Sequence, residues 1–200
     1  MKIFAAGDIH GDINLAKRLA NKAKSEKVDL VILCGDITHF DKSSDNLIKY
    51  FVEKELKVIF VPGNHDSFAT ANFLSSTYNI KNIHGYGVKY NDVGIFGAGK
   101  ANIGNEKLTE DEFFYHLQKS HKQINYLSKK IMVTHVHPSN SKIEKFTSIF
   151  KGSSGVRKAI ETFNPDLHLC SHVHEAQGIE EKIGNTNVIN VGRDGKIIDI

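Results

Sequence analysis

Three times in its first 64 residues the chain runs through the same short syntax. MKIFAAGD, VILCGD and VIFVPGN each join an apolar, largely β-branched run to a glycine and then to Asp or Asn. The runs end at Asp8, Asp36 and Asn64, at intervals of 28 residues. Between them lie stretches with helical spacing: Ile13–Lys27, where Leu15, Leu19 and Ala23 share a face, then Asn46–Glu55, with Phe68–Thr77 following the third run. Strands alternating with helices of this length imply right-handed βαβ crossovers and parallel strands. The unbroken apolar character of the strands implies cover on both faces. In such a sheet the C-terminal strand ends share one edge, where ligands bind. The glycine before each polar residue is read as the point where the backbone turns sharply out of the strand.

The second half changes style. Gly85 to Gly99 is glycine-rich, with Asn91-Asp92 between two short strands, and reads as an antiparallel hairpin. TEDE at Thr109–Glu112 resembles a capping box opening a long helix to Ser128. A strand at Ile131–Thr134 ends in HVHP, a helix spans Ser153–Phe163, and a strand at Asp166–Cys170 ends in SHVH. From Ala176 the chain reads as antiparallel strands with turns at Gly184-Asn185 and Asp194-Gly195. The longest irregular stretches, Gly97–Leu108 and Ser139–Gly152, are candidate substrate loops.

Two hundred residues with 40% hydrophobic and 24% charged side chains suit one globular domain over 1–200. A net charge of +3 gives no argument for a nucleic-acid surface. No apolar run approaches a membrane span and no secretory leader is evident, so a cytoplasmic location is expected. Cys34 and Cys170 are too few for a disulfide framework and read as buried thiols.

Five strand ends thus carry Asp8/His10, Asp36, Asn64/His65, His135/His137 and His172/His174. Gathered at one place without a cation, the two carboxylates would be buried against each other, at a cost of several kcal/mol per unpaired ion. Imidazole with carboxylate suits Zn, Fe, Mn, Co or Ni, and the absence of thiolate argues against a structural zinc. Seven ligand candidates exceed what one ion needs; with one carboxylate bridging they fit two. Such a centre attracts a phosphate ester, activates water and neutralises phosphoryl oxygens, and a nearby histidine supplies the leaving group's proton.

GDIHGD, GDIT, GNHD, a later TH and a final HVH resemble, in order, the five motifs of the calcineurin-like metallophosphoesterases, and HLCSHVHEAQG and VINVG look closest to the small stand-alone Icc-like members. The resemblance implies a four-layer α/β/β/α sandwich of two mixed sheets face to face, with helices outside. It implies that Asp8, His10 and His174 hold one metal and Asn64, His135 and His172 the other, with Asp36 bridging. It further implies His65 as general acid and, with Asn64, a substrate contact, and a metal-bridging hydroxide as nucleophile acting on a phosphodiester or monoester.

Three positions depart from the family pattern. His39 stands where protein phosphatases carry the Asp that orients the catalytic histidine, which favours a diesterase. His137 replaces a proline, and Ser171 replaces a glycine. His39 and His137 are weighed evenly between loop residue and substrate contact, and Asp12 is read as a helix cap. The alternatives are a non-catalytic interaction scaffold like the phosphoesterase-fold subunit of the retromer coat, which typically lacks the His65 equivalent, or a nuclease. A small phosphate ester is the expected partner; the sequence leaves oligomeric state open.

Overall fold

A computed structural model of the protein describes residues 1–42 and 46–200. The strands are β1 (Lys2–Ala6), β2 (Leu30–Cys34), β3 (Val58–Val61), β4 (Lys81–Asn82), β5 (Gly87–Tyr90), β6 (Val93–Ala98), β7 (Lys129–Thr134), β8 (Leu167–Cys170), β9 (Glu180–Ile183), β10 (Thr186–Asn190) and β11 (Lys196–Asp199). The helices are α1 (Ile13–Ser25), α2 (Lys49–Val52), α3 (Phe68–Tyr78), α4 (Glu110–Lys122) and α5 (Ser154–Phe163).

The strands form two mixed sheets, one in the order β11-β1-β2-β3-β4 and one in the order β5-β6-β7-β8-β10-β9. β1 to β4 are parallel, and so are β6, β7, β8 and β10. β11, β5 and β9 pair antiparallel at three of the four sheet edges.

The period-2 alternation of the strands sorts their side chains into separate cores. Ile3, Ala5, Leu30, Ile32 and Ile59 of the first sheet meet Ile95, Ile131, Val133, Leu169 and Ile189 of the second. Their neighbours point the other way. Phe4, Val31, Leu33 and Phe60 pack under Leu15, Leu19 and Ala23 of α1 and Ala71 and Leu74 of α3. Phe96, Met132 and Val188 pack under Phe113 and Leu117 of α4 and Val156 and Ile160 of α5. The result is an α/β/β/α sandwich. The two cysteines fall in different cores, both buried and free.

The helix starts follow the side chains that precede them. Asp12 caps α1 by accepting the Leu15 N–H at 2.9 Å, as its position indicates. Thr109 and Glu112 form a reciprocal capping box on α4. Ser153 caps α5 by accepting the Val156 N–H at 3.1 Å, and Glu110 of α4 accepts from the Gly155 N–H and the Ser153 hydroxyl.

Three expectations change. The long helix to Ser128 ends at Lys122, because the chain turns there to lay Ile124 and Leu127 over Gly94. The helix expected over Asn46–Glu55 shortens to α2, with turns on both sides. The C-terminal strands do not form one antiparallel set: β10 lies parallel to β8, and β11 crosses to the other sheet to pair with β1.

Thr109→Ala removes one half of the capping box and should cost about 1 kcal/mol, read as a lower urea midpoint with an unchanged slope.

Candidate metal centre

The loops after β1, β2, β3, β7 and β8 meet at one end of the sandwich. Three of them, after β1, β2 and β8, carry strained residues. Asp8, His10, Asp36 and His172 all have positive φ, between 50° and 74°, where a non-glycine residue costs roughly 1–2 kcal/mol. At these positions the turn is made by the polar residue as well as by any glycine before it, which corrects the sequence reading. The glycines have a further duty, which is to leave room. A Cβ on Gly35 would meet the His135 ring, and one on Gly63 would land on the Asp36 carboxylate and backbone nitrogen.

Among the described residues three groups of donors converge, one of which, His10 with His39 and His65, holds only imidazoles; the other two contain a carboxylate. Asp8, His10 and His174 form one, and Asp36, His135 and His172 the other, with the ligand atoms of each group within 4.8 Å of one another. Asn64 joins the second, its Oδ1 3.0 Å from His135 Nε2. Asp36 lies between the groups. Its Oδ2 is 3.4 Å from His135 Nε2 and 3.7 Å from His10 Nε2, and its Oδ1 accepts the His65 N–H at 2.8 Å. All seven predicted ligand residues are thus brought together.

Charge on these groups is unevenly held. Burial opposes it at His135, but the neighbouring Asp36 carboxylate prevails and raises the His135 pKa to about 9. Burial also works against the Asp36 charge, yet His135 and the His65 N–H hold it well below the usual carboxylate range. Burial pushes His10 down to about 4, against the pull of Asp36 and Asp8, and pushes His172 well below the ordinary histidine value. Neutral imidazoles with free lone pairs then face carboxylates. His172 Nε2 is buried with no partner, and His10 and His174 bring their Nε2 atoms to 3.2 Å. An orphaned buried nitrogen costs free energy when nothing satisfies it, whereas the His10–His174 contact can be an N–H···N hydrogen bond. A nitrogen- and oxygen-binding divalent cation would satisfy His172 and lie among the neighbouring carboxylates, so the donor set fits metal.

A cleft of about 400 Å³ opens over the centre, with Phe40, Ile103 and Phe150 in its walls beside His10, Asp36 and His65. Ile103 and Phe150 come from the two loops singled out as substrate loops. His65 is partly exposed. Its ring lies 3.9 Å from that of Phe40 and 5.2 Å from the exposed His39. Burial holds the His65 pKa below its ordinary value, with Asp36 opposing. His137 is fully buried, and neither ring nitrogen has a partner. It is not among the residues that line the cleft, so the structure gives no support to a substrate contact.

Two supporting residues carried no sequence assignment. Asp66, closing the GNHD stretch, is buried and accepts N–H bonds from Ile37, Thr38 and Gly63, tying the β2 and β3 loops together. Lys100 is 1% exposed, and its ammonium donates to the Asp66 carbonyl at 2.7 Å and to Glu106 at 3.3 Å. Ser171 uses the space left by Gly7 to donate to the Cys34 carbonyl at 2.7 Å, beside His135 Nδ1. That is why a serine is accommodated there.

The family model for calcineurin-like phosphoesterases matches residues 1–176. The chain belongs to that family. Members hydrolyse phosphoric esters and generally bind two divalent ions. An uncharacterized protein of Methanocaldococcus jannaschii is 34% identical to this phosphoesterase over 203 residues, covering 95% of this chain and 87% of its own. Among solved structures, TT1561 of Thermus thermophilus superposes with a TM-score of 0.78 at 18% identity, over 99% of this chain and 98% of that one. A dimetal phosphatase of Danio rerio gives 0.62 at 14% identity, over 96% and 87%. A novel archaeal phosphodiesterase gives 0.58 at 19%, over 96% and 84%. At these identities the likeness to the solved structures is one of fold. Among the described residues of this phosphoesterase, no helix is long and apolar enough to cross a membrane.

Gly63→Ala should displace the Asp36 carboxylate without substituting any ligand residue. Mn²⁺ affinity by titration calorimetry should fall roughly 10–100-fold while the far-ultraviolet circular dichroism is retained; unchanged affinity would show that the close approach is dispensable.

Proposed function

We propose that the protein is a two-metal phosphodiesterase acting on a small phosphate ester, with manganese, iron, zinc, nickel or cobalt as its ions. Asp8, His10 and His174 hold one ion, Asn64, His135 and His172 the other, and Asp36 serves both. The observation that carries this reading is the position of Asp36 Oδ2, within 3.7 Å of imidazole nitrogens from both donor groups. When bound, the ions supply Lewis acidity toward the phosphoryl oxygens and activation of a water.

The residues of the chain do the rest. Asn64 and His65 orient the phosphate, and the walls at Ile103 and Phe150 limit water around it. His65 gives a proton to the departing oxygen. Its pKa, lowered by burial, makes it a ready donor once protonated, and the arriving phosphate anion adds the negative charge that favours protonation. His39 is exposed, near His65, and as an imidazole it replaces the carboxylate that would orient the acid in protein phosphatases. A diester, whose alkoxide leaving group depends on one proton, suits this arrangement. The presence of His65 in the cleft speaks against a purely interacting scaffold.

Two variants test the assignment. Asp36→Asn should lower bound metal, counted by elemental analysis, at both positions and abolish turnover; full occupancy would count against a shared ligand. His65→Ala should keep its metal and lose about 10²–10⁴ in kcat on an alkyl diester, with a much smaller loss on a p-nitrophenyl diester, whose leaving group needs no acid. Equal rates of wild type and variant on the alkyl diester would remove His65 from the proton transfer.

A further inference from the structure

A second cleft, of about 320 Å³, adjoins the one over the metal centre and is lined by Phe40, Asp41, Ser67, Lys100, Asn105 and Glu106. The two clefts share Phe40, Asn64 and His65, while His10, Asp36, His172 and His174 line the first alone. We propose that this second cleft is the leaving-group subsite, built for a neutral, hydroxyl-bearing group such as a polyol or a sugar ring and against a leaving group with its own anionic charge. The proposal rests on the phosphodiesterase reading above.

Geometry supplies the first half of the argument. An acid must lie within hydrogen-bond reach of the oxygen it protonates. The substituent on that oxygen then extends past His65, and the adjoining cleft is the space there that the metal-binding histidines and carboxylates do not line.

Charge supplies the second half. Among the described residues the cleft is lined by one ammonium, two carboxylates and the His65 imidazole that it shares with the first cleft. The ammonium of Lys100 is committed to the Asp66 carbonyl and to Glu106, and it lies 5.3 Å from the Phe68 ring centre. With that side chain 1% exposed, a substrate anion cannot reach it as a partner. Glu106 also accepts the Phe68 N–H at 2.9 Å, which fixes the wall. Among the described residues Asp41 forms no ion pair, although the Lys100 ammonium acts on it from a distance. Its carboxyl accepts the Ser67 N–H at 2.7 Å, and although burial works the other way, that bond and its neighbours keep it below the usual carboxylate range. The cleft therefore offers carboxylate and amide oxygens to hydroxyl donors. The Phe40 ring, 56% exposed, offers an apolar face to a carbon skeleton. A phosphate or carboxylate on the leaving group would meet the Asp41 carboxylate, while the Lys100 ammonium is held by partners of its own.

The test uses the Mn²⁺-loaded enzyme and three diesters with one methyl substituent in common. Their other substituents are p-nitrophenol, glycerol and glycerol phosphate, and release of each alcohol is quantified. The wild type should release glycerol with a kcat/KM higher than that for glycerol phosphate by roughly fivefold or more, the size of one like-charge encounter at a few ångströms in a water-like medium. The preference should shrink as salt is added. Asp41→Asn is chosen because Asn tolerates the positive φ of 61° at this position and keeps an oxygen for the Ser67 N–H. It should bring the ratio close to one. Turnover of the p-nitrophenyl ester with no preference between the other two overturns the subsite and leaves the phosphodiesterase reading standing. So does a preference that Asp41→Asn does not change. Failure to release p-nitrophenol with any of the five candidate metals overturns both.

Discussion

The site depends on one buried carboxylate. Asp36 is 2% exposed, and its two oxygens face the His65 N–H on one side and the rings of His10 and His135 on the other. A charge held that far from water must be compensated within a few ångströms. Its compensators come from the loops after β1, β3 and β7, so these strands must end flush. The inter-sheet core sets that alignment. Ile32 and Ile59 share the inter-sheet core with Val133 and Leu169, and a displaced sheet would separate His135 from Asp36. Packing far from the chemistry thereby controls the geometry of the chemistry.

The strained backbone at Asp8, His10, Asp36 and His172 follows from the same requirement. Donors on straight strand extensions would continue away from the sheet edge; a left-handed residue folds each one back toward its neighbours. The interlocked backbone bonds hold this shape. Asp8 N–H reaches the Gly35 carbonyl at 3.0 Å and His10 N–H the Asp36 carbonyl at 2.9 Å, while Asp66 gathers three further N–H groups from two loops. Strain of this kind persists only where surrounding structure over-determines it.

Much of this could be read in the chain itself. Apolar runs that stop at a polar residue mark buried strand ends, so the residues that converge were visible as a set, as were the hairpin at Asn91-Asp92 and the cap at Thr109. What escaped reading depends on contacts between distant segments. Asp66 looks like any turn aspartate until three N–H groups are found around it, and nothing near Lys100 in sequence says that its ammonium will be buried against the Asp66 carbonyl. The end of α4 was missed because Ile124 and Leu127 continue a helical pattern but serve a hairpin some thirty residues earlier. The β11 crossing was missed because a short apolar strand carries no label for the sheet it will join. His137 has the polarity of a site residue and the burial of a core one, and a motif cannot distinguish these.

The β1–β11 pairing joins Lys2 to Asp199 and Ala5 to Lys196, nearly the full length of the described chain apart. During synthesis β1 is made well before β11. Until β11 emerges, one side of β1 presents unpaired backbone groups, the kind of edge that recruits other chains. Loop closure over such a separation is slow relative to local helix formation. The loops after β1 and β8 likewise meet only through contacts between distant segments, so all five α-helices described here precede the completion of the donor set.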